Sequence, residues 1–279
     1  MNLRKSRDHA FTLMILLGLL LFATFIIVPL LWMISASFRT PMDAFKWPPR
    51  IIPTTFDTRS YQIVFEKVNI LKFLGNSIKV SVLGTLLQVL ASAMGAYAFA
   101  RFRFKGSKAL FMLYLTAMMI PGQVLSIPRF IVMSKLHLIN THAALILPML
   151  FSAMGIFLVR QFILTIPKSY DEAAMIDGAS RYYCFLHIIA PMAKPAIMVV
   201  AVQTFIGSWN DFYNPLIYIN SESKMTLPLG LTALRGMLNS SNESALIASV
   251  LLTLIAPLLL YVFGQRYLVE GITLGGLKG

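Results

Sequence analysis

Continuous apolar blocks set the limits on what this chain can fold into. Each runs for about twenty residues, the length a helix needs to cross the hydrocarbon core of a bilayer. Lipid offers no partner to a backbone N–H or C=O, so a spanning segment is either a helix or a strand of a closed barrel. The blocks are unbroken rather than alternating, which selects helices. Composition agrees: 13% of the residues are charged and 57% are hydrophobic, against about 25% charged in a soluble domain. The expected fold class is all-α, a polytopic membrane protein of one domain over 1–279. Six transmembrane helices are expected at about 11–34, 76–100, 109–128, 143–165, 196–219 and 244–264. The first block contains Pro29 and outruns the ~7–15 residues of a signal-peptide core. It is therefore expected to remain as the first span.

The formal charge of +13 needs a cause. No basic stripe interleaved with stacking aromatics accompanies it, so nucleic acid is not an expected partner. Basic residues in short loops mark the cytoplasmic side of a membrane protein. Arg4, Lys5 and Arg7 precede the first block, and Arg101, Arg103, Lys105 and Lys108 fill a tight turn. Lys168, Arg181 and Lys194 lie in the loop over 166–195, and Arg266 and Lys278 follow the last block. With six spans these segments share one side, and both termini are expected in the cytoplasm. The segment between the first two blocks holds Arg39, Lys46, Arg50, Arg59, Lys67 and Lys72 and conflicts with a simple count. The rule weakens with loop length, so the turn at Arg101–Lys108 decides. This long segment reads as an ordered extramembrane loop.

The loop over 166–195 is polar and helix-forming, although it joins two apolar blocks. Ser169 followed by Glu172 reads as a capping box. Asp171 and Glu172 suit the positive end of the helix dipole, and Gly178 suits a left-handed C-cap. A second helix is expected from about Ser180 to Ile189, ended by Pro191 and Pro195. Such a hairpin either lies on the lipid surface or docks into a protein groove. Its acidity disfavours a negative inner leaflet, and its adjacent alanines permit close approach by a protein.

Charged and polar residues inside apolar blocks usually face a partner or a cavity. Asp211 with Trp209, Asn210 and Asn214 forms the best candidate pore or subunit-contact cluster. Lys79 and Arg160 lie near span ends and are expected to snorkel. Arg129 is expected where the third span emerges. Cys184 stands alone, and His9, His137, His142 and His187 lack metal-ligand spacing. No phosphate-binding G-x-x-x-x-G-K-[ST] run occurs. No catalytic, cofactor or metal residue is expected.

Glu172-Ala173-Ala174, three residues, Gly178, nine residues and Ile188-Ile189-Ala190-Pro191 together resemble the EAA loop of ABC importer permeases. Ala190 stands where that pattern usually has Leu. Asn76-Ser77, Leu138-Ile139-Asn140-Thr141, Ser208-Trp209-Asn210-Asp211-Phe212 and the tail from Gln265 to Gly279 are similar to the MalG-type permease subunits of binding-protein-dependent carbohydrate importers. The resemblance implies a transporter subunit rather than an enzyme. It implies a second, MalF-like permease subunit, a dimeric ATPase carrying ATP and Mg, an extracytoplasmic sugar-binding protein and a carbohydrate substrate. It implies ATPase coupling through Glu172, Ala173, Ala174, Asp177 and Gly178. The tail over Gly275–Gly279 is expected near the ATPase or frayed, and the loop Asn220–Asn242 outside, within reach of the binding protein. Two alternatives stay open: the same permease type for glycerol phosphates or polyols, and an ion-coupled secondary transporter.

Overall fold

The computed structural model describes residues 2–48, 50–53, 56–67, 69–237 and 242–276. Every regular element among them is helical. Of the six expected spans, four are helices long and apolar enough to cross a membrane: Phe11–Ser37, Ile70–Arg101, Ala143–Thr165 and Glu243–Gln265. The fifth, expected over 196–219, is not one helix: Lys194–Trp209 stops and Tyr213–Tyr218 follows after a break, while Arg181–Met192 and Lys194–Trp209 meet at 77° and count as a crossing only if taken together. The span expected over 109–128 is split. A short apolar helix, Ser107–Met119, stops, and the chain turns before Ser126–Lys135. Pro121 explains the break, because it pushes the residue before it out of helical geometry. Ile120 accordingly sits at φ −83 and ψ 116.

The chain divides into two compact units. One comprises Met1–Ile70 and Leu231–Leu254, the other Leu71–Gly230 and Ile255–Gly279. In the first unit the apolar window of Phe11–Ser37 buries none of its residues. A bare hydrophobic cylinder of this kind is stable only in lipid or against a partner. The segment after it is ordered by its own bonds. Ser37 Oγ and the Tyr61 hydroxyl lie 2.9 Å apart, Arg39 donates to Ser35 Oγ at 2.8 Å and to the Arg50 carbonyl, and the Asp57 amide donates to the Phe38 carbonyl at 2.8 Å. Phe38 packs on Phe56 and Tyr61, with ring centroids at 4.8 and 5.2 Å.

The second unit is built on Ile70–Arg101. Its inner-face residues Ala93, Ala96, Tyr97 and Ala100 are buried with Ile156, Val159 and Ile163 of the helix Ala153–Thr165. Ile189, Ala193, Ala196 and Val200 complete that core. Ser77, Ser81, Thr85 and Ser92 are buried on the same helix, and they recur at helical spacing. Small residues let helix backbones approach, and hydroxyls bond across the seam. Ser81 Oγ donates to Ser208 Oγ at 3.2 Å. A Cβ placed on Gly155 would come within 2.5 Å of Ser92 Oγ, so that approach requires glycine.

Candidate functional site

The first helix of the loop over 166–195 spans Ser169–Ile176. Its start differs from the expected capping box. Lys168 already has helical φ −67 and ψ −20 and occupies the cap without a side-chain bond. Pro167 is the cause: its fixed φ suits the first turn, and the Lys168 carbonyl already accepts from the Glu172 amide at 3.0 Å. Ser169 therefore lies within the helix. The other end closes on Gly178 at φ +84. The Ala179 amide reaches the Ala174 carbonyl at 2.9 Å and the Gly178 amide reaches that of Met175 at 3.1 Å, the paired bonds of a Schellman cap. A serine cap does occur, one helix later, where Ser180 Oγ accepts from the Tyr183 amide at 3.2 Å. The second helix runs past Ile189 to Met192. A π turn over Phe185–Ile189 adds a residue ahead of Pro191, which has no N–H to give, and the break falls at Ala193 instead. Pro195 sits in the first turn of the next helix.

The helix Ser169–Ile176 divides its residues sharply. Glu172 and Ala173 are exposed, as is Asp177 at its end, Ile176 is 85% exposed and Ala174 is half-buried. Among the described residues of this helix, Asp171 alone is buried. Its Oδ2 lies 2.8 Å from Arg101 Nε, with both side chains under 10% exposed. The N–H is not aligned on that oxygen, so the contact is an ion pair by distance. Arg101 also donates to the Ile166 carbonyl at 2.9 Å. Tyr97, one turn back, holds its hydroxyl 3.4 Å from Asp171 Oδ1 and 3.3 Å from the Arg181 carbonyl. Sequence reasoning treated Asp171 as a dipole partner and Arg101 as a marker of sidedness, and missed that they meet. Both sit in charged runs, and nothing in those runs marks one member as buried.

A second feature of this unit is a cavity of about 520 Å³, lined among others by Gln88, Arg129, Gln203, Ser208, Asp211 and Asn214. Of the four residues of the expected pore or subunit-contact cluster, Asp211 and Asn214 line it. Trp209 does not: it is 2% exposed and its ring stacks on Phe205 at 5.7 Å. It lies two helical turns from buried Val202 and shares that core-facing side. Asn210 is exposed and ends the helix. Asp211 accepts from the Asn214 amide at 3.1 Å and from its side chain at 2.7 Å, restarting the helix Tyr213–Tyr218. Arg160 does not snorkel. Its guanidinium lies 4.1 Å over the Phe111 ring and Nε donates to the Phe99 carbonyl.

The other motif residues act as clamps. Asn140, at φ +60, accepts from the Asn220 and Ser221 amides at 3.2 and 3.0 Å and donates to Ser221 Oγ at 2.7 Å. Its carbonyl takes Lys224 Nζ at 2.8 Å. Asn76 donates to the Ser223 and Met225 carbonyls, and Ser77 Oγ accepts from the Leu227 amide at 2.7 Å. The near end of the loop Asn220–Asn242 is thus fixed, while 238–241 of that loop and 277–279 of the glycine-rich tail lie outside the described residues.

Residues 88–273 match the sequence model of the family described as binding-protein-dependent transport system inner membrane component. The arabinooligosaccharides transport system permease protein AraQ of Halalkalibacterium halodurans is 33% identical, covering 99% of this chain and 100% of its own. The diacetylchitobiose uptake system permease protein NgcG of Streptomyces coelicolor is 30% identical over 98% and 91%. A crystal structure of a bacterial ABC transporter involved in import of the acidic polysaccharide alginate contains a chain of the same fold. It superimposes with a TM-score of 0.83 at 22% identity, covering 94% of this chain and 97% of that one.

Proposed function

Because this chain belongs to the family of binding-protein-dependent transport system inner membrane components, we propose that it is a membrane-spanning permease subunit of an ATP-driven carbohydrate importer. The relatives named for arabinooligosaccharides and diacetylchitobiose support the substrate class. The observation that carries the coupling role is the helix Ser169–Ile176, which turns Glu172, Ala173 and Ile176 outward while one buried acid holds it from behind. An exposed acid beside exposed apolar side chains suits a groove in a partner protein better than a negative lipid surface. The partner is an ATPase dimer carrying ATP and Mg, since this sequence has no phosphate loop of its own.

Glu172, Ala173, Ala174 and Asp177 then form the coupling surface, and Gly178 fixes the angle between the two short helices. Closure of the ATPase around nucleotide draws the docked helix inward, and the helices of the second unit follow as a rigid body. This is a switch biased by a ligand bound elsewhere. Asp211 and Asn214 offer hydroxyl-matching groups on the substrate path. A second, MalF-like permease subunit and an extracytoplasmic sugar-binding protein complete the complex. The basic turn at Arg101–Lys108 supports a cytoplasmic coupling loop and, with six spans, cytoplasmic termini.

The test is ATP hydrolysis by the intact complex against a panel of oligosaccharides, polyols and glycerol phosphates, each with its binding protein. A carbohydrate response supports the reading, and a response confined to polyols or glycerol phosphates removes the sugar. Glu172→Gln is expected to leave insertion intact and to lower substrate-stimulated hydrolysis and uptake at least tenfold. Wild-type stimulation in that variant removes Glu172 from the coupling surface.

A further inference from the structure

We propose that the buried Arg101–Asp171 pair is the joint through which motion of the helix Ser169–Ile176 reaches the long helix Ile70–Arg101. The proposal rests on the coupling role proposed for that loop and names the residues that transmit it.

A docked helix can move the rest of a protein only through what ties the two together. Two short turns of helix, with Glu172, Ala173, Met175 and Ile176 exposed, have little apolar grip on their own unit. The buried charged tie is Asp171, at 2.8 Å from Arg101. The placement reinforces it. Arg101 is the last residue of Ile70–Arg101, and Asp171 lies in the first turn of Ser169–Ile176. A cation at a helix C-terminus and an anion at a helix N-terminus each complement the local dipole, so the two helices are joined end to end with both dipoles satisfied. Low exposure on both sides leaves little water to screen the attraction.

The node reaches further than the pair. Arg101 also holds the Ile166 carbonyl, just upstream of the helix, and Tyr97 reaches toward the Arg181 carbonyl just downstream. One end of Ile70–Arg101 therefore grips the loop before, within and after the docking helix. Glu172, the next residue along from Asp171, turns about 100° around the helix and is exposed. Adjacent acids thus take separate tasks: Glu172 faces the motor, and Asp171 faces the helix to be moved. Asp171 and Arg101 are positioning residues; neither touches nucleotide or substrate.

The experiment uses the full reconstituted complex and the neutral pair Arg101→Gln with Asp171→Asn, which removes both charges and keeps a polar side chain at each position. Two readouts are taken: sugar taken up per ATP hydrolysed, and the distance between spin labels on exposed Tyr170 and Met94 with and without ATP. Wild type should give one narrow distance that ATP leaves unchanged. The neutral pair should co-purify with the ATPase at wild-type yield, take up at least tenfold less sugar per ATP and give a broadened distance that shifts with ATP. Wild-type uptake per ATP with a narrow distance overturns the joint. Should the neutral pair fail to insert, Arg101→Lys decides. It keeps the charge but replaces the planar two-point fork with a single ammonium, so a severalfold loss of uptake per ATP supports the joint and no loss overturns it. A wild-type complex that takes up no sugar sinks the transport reading alone, and the label distance in the variants still judges the joint.

Discussion

Two ion pairs in this chain have the same length and different consequences. Arg101–Asp171 and Arg59–Asp57 both close to 2.8 Å. The first pair has side chains 6% and 9% exposed and joins residues from distant parts of the sequence. The second buries its acid to 10% exposure but leaves its arginine 75% exposed, and joins near neighbours. Two unit charges about 4 Å apart attract by about 1 kcal/mol in water and about 4 kcal/mol at an effective dielectric near 20. Distance therefore does not rank these contacts; burial and sequence separation do. The exposed pair shapes a turn that the chain makes locally, whereas the buried pair sets where one helix lies against another.

Arg101→Ala is the most direct way to break that ranking. It strands the Asp171 carboxylate in a dry site, at a cost of about 3–5 kcal/mol, and Tm of the purified complex should fall by roughly 6–20 °C. Asp57→Ala should lower Tm much less, since the arginine of that pair is 75% exposed and stays solvated without its partner. Equal shifts for the two variants would abolish the distinction. Gly155→Ala follows in size. Its new Cβ would sit 2.5 Å from Ser92 Oγ and 3.2 Å from Ser92 Cβ, and overpacking of this kind costs about 1–3 kcal/mol. Adding Ser92→Ala removes the nearer atom and should recover part of the loss. An unchanged Tm in that double variant would place the strain elsewhere.

What the sequence disclosed follows the same division between local and long-range. Block length and continuity disclose the long helices, because hydrogen bonding in lipid leaves the backbone no alternative. Gly178 is legible because only glycine enters the left-handed region freely. Asn140, also at positive φ, was noticed only as part of a family-like motif, since asparagine has many other uses. The start of the helix Ser169–Ile176 was misread because Pro167 and Ser169 are both good starters, and the proline acts two residues earlier. Trp209 beside Asp211 suited one pore or subunit-contact cluster. The helix ends at Trp209 before Asp211 is reached, however, and only the packing on the side of Val202 turns the Trp209 ring into the core. Asp171 was the least legible of all. Its partner lies on another helix, and a charge in an acidic run carries no mark of burial.

Gly178 sharpens the comparison at the far end of the helix Ser169–Ile176, where the backbone rather than a charge holds the turn. Gly178→Val forces a β-branched residue to φ +84, at a cost of about 1–2 kcal/mol, and should impair coupling. Gly178→Asn should lose much less, because asparagine visits this region. Sugar-stimulated ATP hydrolysis reads the difference, and equal losses would reject the backbone argument.

Asp57 gives the smallest effect and a sign that can be checked. The Arg59 side chain, and then the Arg59 amide, donate to its carboxylate and hold its pKa below the ordinary 3.8. A depressed acid adds stability that is fully present above the unfolded pKa and is lost as pH falls through the lower, folded one. The Asp57–Arg59 turn should therefore be insensitive between about pH 8 and pH 5 and loosen only below the usual carboxylate range. Hydrogen exchange of the Tyr61 and Gln62 amides, which bond back to the Thr58 carbonyl, follows that turn once corrected for intrinsic rates. Asp57→Asn should raise their exchange slightly at neutral pH and abolish the acid-dependent step. Loosening already at about pH 6 would mean that a group other than this carboxylate controls the turn.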